Sequence, residues 1–165
     1  MHQTILKAED ILRKIKRMAI EIAEQNNAEK EIVLLGIYDR GLIIAELIKE
    51  QLLMENIAVK VGCIKLNKKN PLENDIELNI ATDLTNKAII VVDDVANSGM
   101  TLFYSLQPLM KKNIKKLQVA VLVDRQHKSF PITPDFVGLS ISTTLKNIIH
   151  VEIDPSKQLY KAYLA

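Results

Sequence analysis

Apolar residues in this chain fall into short continuous runs separated by amphipathic stretches. Continuous runs are typical of strands covered on both faces, and steps of four, three and four between Ile11, Ile15, Met18 and Ile22 are typical of one helix face. The strands predicted in this way are residues 31–37, 59–66, 88–92 and 117–123, with two further candidates at 135–141 and 148–153. The predicted helices are roughly 7–26, 41–54 and a stretch from residue 100. Strands that alternate with helices predict an α/β fold with a mostly parallel central sheet and flanking helices.

Two stretches interrupt this alternation. Residues 67–86 are polar and rich in Asn, and within them IELNI alternates with period two, which indicates one arm of a hairpin. The helical pattern after residue 100 contains Pro108, which should kink the helix or end its first segment. Since we find no repeat and no linker, residues 1–165 are expected to form one domain.

Unusual loops follow three of the predicted strands. They read YDRG after 31–37, DDVANSG after 88–92 and DRQH after 117–123. In open parallel sheets, ligands bind at the carboxyl ends of the strands. If these three strands are neighbours, their loops converge on one crevice.

Composition excludes several classes of protein. The net charge of +2 produces no field that would indicate nucleic acid or membrane binding by the whole chain. No apolar run approaches the ~18 residues that a membrane span needs, and the N-terminus lacks the apolar core of a signal peptide. The single cysteine, Cys63, fits a reducing compartment. We therefore expect a cytoplasmic protein with no membrane partner.

The stretch AIIVVDDVANSGMTL carries the strongest chemical signal. A strand, a small-residue loop and a helix form a general phosphate cradle made of backbone N–H groups, although Asn97 or Ser98 would also serve as an ordinary helix cap. Asp93 and Asp94 would repel a phosphate lying directly on them. They suit sugar hydroxyls or a Mg²⁺ ion beside the phosphate, so the combination indicates a sugar phosphate.

VVDDVANSGMT resembles the phosphoribosyl-pyrophosphate (PRPP) signature of the type I phosphoribosyltransferases. The resemblance implies that family's fold, with a mobile hairpin loop at about 67–86 and a small C-terminal hood. It also implies transfer of phosphoribose from PRPP to a nucleobase with Mg²⁺, which Asp93 and Asp94 would hold directly or through water. The implied binding residues for the ribose and 5′-phosphate are Asp93, Asp94, Val95, Ala96, Asn97, Ser98, Gly99, Met100 and Thr101.

LLGIYDRGLIIAELI is similar to the family's first loop, which takes pyrophosphate. Arg40 would supply charge there, since guanidinium suits phosphate oxygens; the alternative is an ordinary surface arginine. The implied pyrophosphate residues are Tyr38, Asp39, Arg40 and Gly41, with Lys68 and Lys69 from the mobile loop. With Asp93 and Asp94, Arg40 completes the expected catalytic set.

The segment from residue 117 to 144 resembles the closing segment of one branch of the family, whose members regulate pyrimidine operons and also act on uracil. The implied base-binding residues are Asp124, Arg125, His127, Phe136 and Val137, although Phe136 and Val137 also read as ordinary strand core. Asp124 stands where purine-specific relatives carry a lysine that donates to the purine oxygen, and a carboxylate cannot donate. Uracil, converted to UMP, is therefore the expected base.

Two departures from that branch keep other functions open. KLNKKNP has lysines but no arginine where the branch has a Tyr-Arg-Asp-Asp stretch, and Gln126 replaces a glycine. An RNA-binding regulator of pyrimidine genes with weak or no catalysis, and a hypoxanthine or guanine salvage enzyme, remain alternatives. Lys111, Lys112, Lys115 and Lys116 read either as an RNA contact or as a solvated helix end. The resemblance also implies a homodimer or a higher homo-oligomer.

Overall fold

Two β-sheets organise the chain, whose computed structural model describes residues 3–143 and 147–165. The strands are β1 (Gln3–Leu6), β2 (Glu31–Ile37), β3 (Ala58–Lys65), β4 (Glu77–Asn79), β5 (Ala88–Ala96), β6 (Lys116–Arg125), β7 (Phe136–Ile141), β8 (Ile149–Asp154) and β9 (Leu159–Leu164). The larger sheet has the order β4-β3-β2-β5-β6-β7, and the smaller has the order β1-β9-β8.

The larger sheet is the mostly parallel sheet that the apolar runs predict. All its neighbouring strands pair in parallel except β4, which pairs antiparallel with β3. The short strand β4 lies within IELNI, so the predicted hairpin arm is confirmed. Because β2, β5 and β6 are adjacent, their carboxyl ends lie side by side, as the crevice hypothesis requires.

Within the described residues, three α-helices accompany the sheets: α1 (Ala8–Gln25), α2 (Arg40–Met54) and α3 (Met100–Ser105). The predicted stripe of α1 is buried, from Ile11 to Ile22, because it packs in a core shared with one face of the larger sheet, α2 and the small sheet. Pro108 lies in a separate 3₁₀ turn, Gln107–Leu109, so α3 ends before it, as its fixed ring requires.

The small sheet is the hood that the family resemblance implies, and both chain termini build it. Strands β1 and β9 pair antiparallel, and β9 pairs antiparallel with β8. The sequence pattern predicts β8 alone. Strand β1 has only four residues, and in β9 only Ala162 is buried, so neither presents a clear period. Their pairing depends on contacts between opposite ends of the chain.

Candidate active site

A cavity of about 520 Å³ opens at the carboxyl ends of β2 and β5, beneath the small sheet. It is lined by Arg40, Lys68, Lys69, residues 93–102 and residues 148–151. Two of the three predicted loops therefore contribute to one cavity. The loop after β6 does not belong to the described lining, whose remaining wall comes from β8 of the small sheet.

Asp93 and Asp94 lie within β5, which continues to Ala96 rather than ending at residue 92 as predicted. Burial of their carboxylates is nearly complete, with exposed fractions of 1% and 5%. Lys68 supplies a counter-charge, since its Nζ lies 2.9 Å from Asp93 Oδ1 and 3.4 Å from Asp94 Oδ1. Arg40 adds a second charge, with Nη1 3.6 Å from Asp94 Oδ2. The two acids, which we call the acidic pair, thus meet two cations from different loops.

The environment of the acidic pair shifts its protonation. Burial, with the neighbouring charge of Asp94, raises the pKa of Asp93 from 3.8 to about 8, although Lys68 acts in the opposite direction. Partial burial acts to lower the pKa of Lys68, but the two carboxylates outweigh it and hold that pKa above its ordinary value. Near neutral pH, the lysine therefore stays charged while the acidic pair readily keeps one proton.

This shift predicts that the acidic pair makes folding pH-dependent. Between pH 5 and 8, folded Asp93 holds a proton that the unfolded chain has lost, so the free energy of unfolding should fall as pH rises. Relative to the Asp93→Asn variant, wild-type stability should decline by up to about 1.4 kcal/mol per pH unit. Urea unfolding of both proteins from pH 5 to pH 9 measures this difference.

Asp83→Asn is the matched control for the pH measurement. Hydrogen bonds from the Thr85 backbone and hydroxyl lower the pKa of the Asp83 carboxyl, so its titration lies below this window. The stability difference between wild type and Asp83→Asn should stay flat from pH 5 to pH 8. A flat difference for Asp93→Asn as well would contradict a raised pKa at Asp93.

The loop between the acidic pair and α3 is held by backbone contacts. Gly99 has φ of 83°, and a Cβ there would lie 2.7 Å from Ile132 Cγ2. The Ser98 carbonyl accepts N–H groups of Ser129 and Phe130 at 2.9 and 3.1 Å. Gly99 is the N-cap of α3, so the alternative that Asn97 or Ser98 is the N-cap residue is not observed, although Ser98 Oγ accepts the Met100 N–H at 3.3 Å. The conformation of the loop therefore depends on the positive φ of Gly99 and on the hydrogen bonds from Ser129 and Phe130.

The turn after β2 brings Arg40 to the cavity. Helix α2 begins at Arg40, one residue earlier than predicted, and Gly41 is buried against β5, where a Cβ would lie 2.4 Å from the Val92 carbonyl oxygen. Tyr38 is exposed, with Lys65 Nζ 5.1 Å from its ring centroid. Of the predicted pyrophosphate residues, the structure gathers Arg40, Lys68 and Lys69 at the cavity. The others shape the turn without lining it.

The predicted base-binding residues lie outside the described cavity lining. Phe136 has no exposed surface, so it belongs to the core in β7 and its ring is not available to a base in this conformation. This is the alternative that the sequence left open. Val137 is half-buried, and its carbonyl accepts a hydrogen bond from Arg17 at 3.0 Å.

The end of β6 and the loop that follows it make contacts of their own. Asp124 pairs with Lys128 at 2.5 Å, with both side chains about 13% exposed. His127 is exposed, with Nε2 3.5 Å from Ser142 Oγ, and Arg125 is the last residue of β6. A basic residue therefore neutralises the carboxylate on which the prediction of a pyrimidine rests, and this ion pair was not predicted from the sequence.

Sequence reasoning missed the contribution of the small sheet to the cavity. Residues 148–151 line it, and the His150 ring stacks on Tyr163 with 5.5 Å between centroids and 20° between planes. These residues were predicted only as a strand, because their position depends on pairing with β9. Tyr163 in turn donates a hydrogen bond to Glu152 at 2.9 Å.

Half of the predicted lysine cluster is engaged elsewhere. Lys115 pairs with Glu29 at 2.9 Å, and Lys116 donates to the Gln25 carbonyl at 2.7 Å. Lys111 and Lys112 are exposed. Any RNA contact at this cluster would therefore depend mainly on Lys111 and Lys112.

The acidic pair fits a magnesium ion only in part. Carboxylate oxygens are suitable ligands for Mg²⁺, but residues 3–143 and 147–165 contain no cluster of three or more His, Cys, Asp or Glu that would hold a metal alone. The remaining ligands would have to be substrate oxygens and water. Over the same ranges, none of the helices combines the length and apolar character required to cross a membrane.

Comparison with known proteins shows the family to which the chain belongs. Residues 2–156 match the model of the phosphoribosyl transferase domain family. The chain is 36% identical over 155 residues to the bifunctional protein PyrR of Trichormus variabilis, covering 89% of this chain and 86% of that protein. It is 37% identical over 168 residues to the bifunctional protein PyrR of Latilactobacillus sakei, covering 93% and 94%.

Solved structures agree in fold. A hypoxanthine-guanine phosphoribosyltransferase from Bacillus anthracis superposes with a TM-score of 0.73 at 23% identity, covering 89% of this chain and 84% of that one. The hypoxanthine phosphoribosyltransferase of Trypanosoma cruzi gives a TM-score of 0.74 at 18% identity, covering 85% and 82%. At such identities the likeness concerns the fold alone.

Proposed function

Because the chain belongs to the type I phosphoribosyltransferase family, we propose that it transfers phosphoribose from PRPP to uracil, forming UMP and pyrophosphate. The observation that carries this proposal is the buried acidic pair at the carboxyl end of β5, followed directly by the glycine-containing loop. One cavity thus offers acceptors for sugar hydroxyls beside a backbone turn suited to a phosphate.

In the reaction, the bond between C1′ and the pyrophosphate oxygen breaks with its electron pair going to pyrophosphate, a bond forms between C1′ and uracil N1, and the N1 proton is released to water. Asp93 and Asp94 accept hydrogen bonds from the ribose hydroxyls, and their charge stabilises the positive charge that develops at C1′. Residues 95–101 bind the 5′-phosphate, and this remote binding energy positions the reacting carbon.

Cations at the cavity complete the proposal. Arg40 and Lys69 bind the departing pyrophosphate together with Lys68, while Tyr38, Asp39 and Gly41 hold the turn that carries Arg40. Magnesium, when bound at the acidic pair with substrate oxygens, would neutralise the pyrophosphate. The hairpin loop at 67–86 is proposed to exclude water from the reacting carbon.

The base is proposed to be a pyrimidine because Asp124 stands where purine-specific relatives carry lysine. Lys128 neutralises Asp124 and also donates to the Arg125 carbonyl at 3.0 Å, so its ammonium group is already engaged within the protein. Arg125, His127 and Val137 stay in the proposed base set, and the approach of His127 to a base requires the loop after β6 to move toward the cavity.

A screen of nucleobases tests this choice. With PRPP and Mg²⁺, uracil should support pyrophosphate release at least about 100-fold faster than hypoxanthine or guanine, because a site selected for one hydrogen-bonding edge leaves polar groups unpaired with another base. Pyrophosphate release followed by a coupled assay, with UMP identified by mass spectrometry, gives the measurement. Faster release with hypoxanthine would establish the purine alternative instead.

RNA-binding regulation of pyrimidine genes is the second candidate function. The relatives named bifunctional protein PyrR favour it. Binding of a pyrimidine leader RNA that tightens with UMP and weakens steeply with salt would support it. We also propose that residues 1–165 form one domain and that the protein assembles in the cytoplasm as a homodimer or a higher homo-oligomer. Light scattering measures the mass of the assembly.

A further inference from the structure

Lys68 occupies the position that a sugar would need. Its Nζ contacts Oδ1 of both acids, and Asp93 Oδ1 also accepts the Asp94 backbone N–H at 2.9 Å. Both carboxylates are nearly buried and line the cavity, so a ligand reaches them only from the side on which Lys68 lies. A ribose that hydrogen-bonds to these Oδ1 atoms must therefore compete with the lysine.

The segment that carries Lys68 is folded to present it. Asn67 Oδ1 accepts the backbone N–H groups of Lys69 and Asn70 at 3.0 and 3.3 Å, and Asn67 Nδ2 donates to Glu73. These contacts close a compact turn directly after β3, with Lys68 at its start. The contact with the acidic pair thus has its own local support.

Displacement of Lys68 has different consequences for different ligands. When its ammonium group leaves the two buried carboxylates, it loses charge-assisted hydrogen bonds that another anion can replace. PRPP brings a pyrophosphate, which the proposed function assigns to Arg40 and Lys69 in the same cavity. Ribose 5-phosphate and UMP bring no such group, so the lysine would be displaced without a new partner.

We propose that Lys68 is a specificity-determining residue that exchanges the acidic pair for the pyrophosphate of PRPP, and thereby disfavours ribose 5-phosphate and UMP. The inference rests on the proposed function, because it assumes that ribose binds at Asp93 and Asp94. It assigns Lys68 two alternating anionic partners. A lysine that only attracted pyrophosphate would have no effect on ligands that lack it.

Lys69 provides a matched control. It is the next residue, carries the same charge and lines the same cavity. Within the described residues, no ion pair joins its side chain to the acidic pair, and its backbone N–H donates a hydrogen bond to Asn67 Oδ1. Lys69→Met therefore removes a nearby positive charge without releasing the acidic pair.

Calorimetric titration of wild type, Lys68→Met and Lys69→Met with PRPP, ribose 5-phosphate and UMP tests the inference at one fixed Mg²⁺ concentration. In Lys68→Met, ribose 5-phosphate and UMP should bind about three- to tenfold more tightly, while PRPP should bind about tenfold more weakly. In Lys69→Met, PRPP should weaken while the other two ligands keep or lose affinity. A loss of affinity for PRPP together with a gain of affinity for ribose 5-phosphate and UMP, in the same variant, is expected only if Lys68 exchanges the acidic pair for the pyrophosphate.

The outcomes separate the two proposals. If wild type fails to bind PRPP, the proposed function is wrong. If wild type binds PRPP but Lys68→Met binds ribose 5-phosphate no more tightly than wild type does, the inference about Lys68 is overturned while the function stands.

A labelling experiment on wild type covers the case in which Lys68→Met does not fold. Lys68 should react with an amine-specific acylating reagent faster in the presence of saturating ribose 5-phosphate than in its absence, because the displaced side chain becomes accessible. Saturating PRPP with Mg²⁺ should protect it. Peptide mass spectrometry reads each lysine separately, with Lys111 as an exposed reference. Equal reactivity of Lys68 with both ligands would overturn the inference.

Discussion

The double substitution Asp93→Asn with Asp94→Asn is expected to remove most of the affinity for PRPP at millimolar Mg²⁺ while the protein stays folded. Hydrogen bonds to ionised groups contribute about 1.5–3 kcal/mol each, so the loss of both carboxylates should weaken PRPP binding by about 10²–10⁴-fold. Asparagine keeps the size of the side chain and removes the charges that face Lys68 and Arg40. Calorimetric titration with PRPP measures the loss, and circular dichroism checks the fold.

Folding should survive because the acidic pair is not a source of stability. Two adjacent buried carboxylates repel each other, and burial keeps one of them partly protonated. A variant with Asp83→Asn and Asp135→Asn removes two carboxylates outside the described cavity lining and should bind PRPP as wild type does. Unchanged PRPP affinity in the Asp93, Asp94 double variant would show that ribose binds elsewhere.

The sequence predicts the central sheet because its signals are local and strong. Each long apolar run, such as 31–37 or 88–92, matches a strand buried on both faces. Strands β1 and β9 were not predicted, because they are stabilised by pairing between distant parts of the chain. Strand β5 was predicted too short because buried aspartates are rare, and here Lys68, 25 residues away, offsets their charge.

The site residues also divide into those that a local motif predicts and those that depend on contacts made only in the folded chain. Residues 93–101 and Arg40 lie at the ends of neighbouring strands, so a local motif and the sheet order suffice to place them together. The base-binding set depends on side-chain direction. In β7, Phe136 and Gly138 are buried on one face, while Val137 between them is half-buried. The partners of Lys68 and Lys128 are equally invisible in sequence, because an ion pair is determined by the folded loop rather than by spacing.

Gly41→Ala is expected to lower kcat/KM for PRPP by about 100-fold, because a misplacement of about 1 Å near the reacting groups has an effect of that size. A Cβ at Gly41 would lie 2.4 Å from the Val92 carbonyl oxygen and 3.1 Å from Asp93 Cα, so the first turn of α2 must move away from β5. Arg40 would then move away from Asp94. Such overpacking should also lower the free energy of unfolding by about 1–3 kcal/mol.

Gly138→Ala separates the loss of stability from the loss of the site. A Cβ at Gly138 would also lie 2.4 Å from a carbonyl oxygen, that of Leu122, but Gly138 belongs to β7 and is not among the described residues that line the cavity. Both variants should therefore lose similar stability in urea unfolding, while only Gly41→Ala should lose kcat/KM for PRPP. Equal kinetic losses in the two variants would mean that general destabilisation, and not the displacement of Arg40, accounts for the effect of Gly41→Ala.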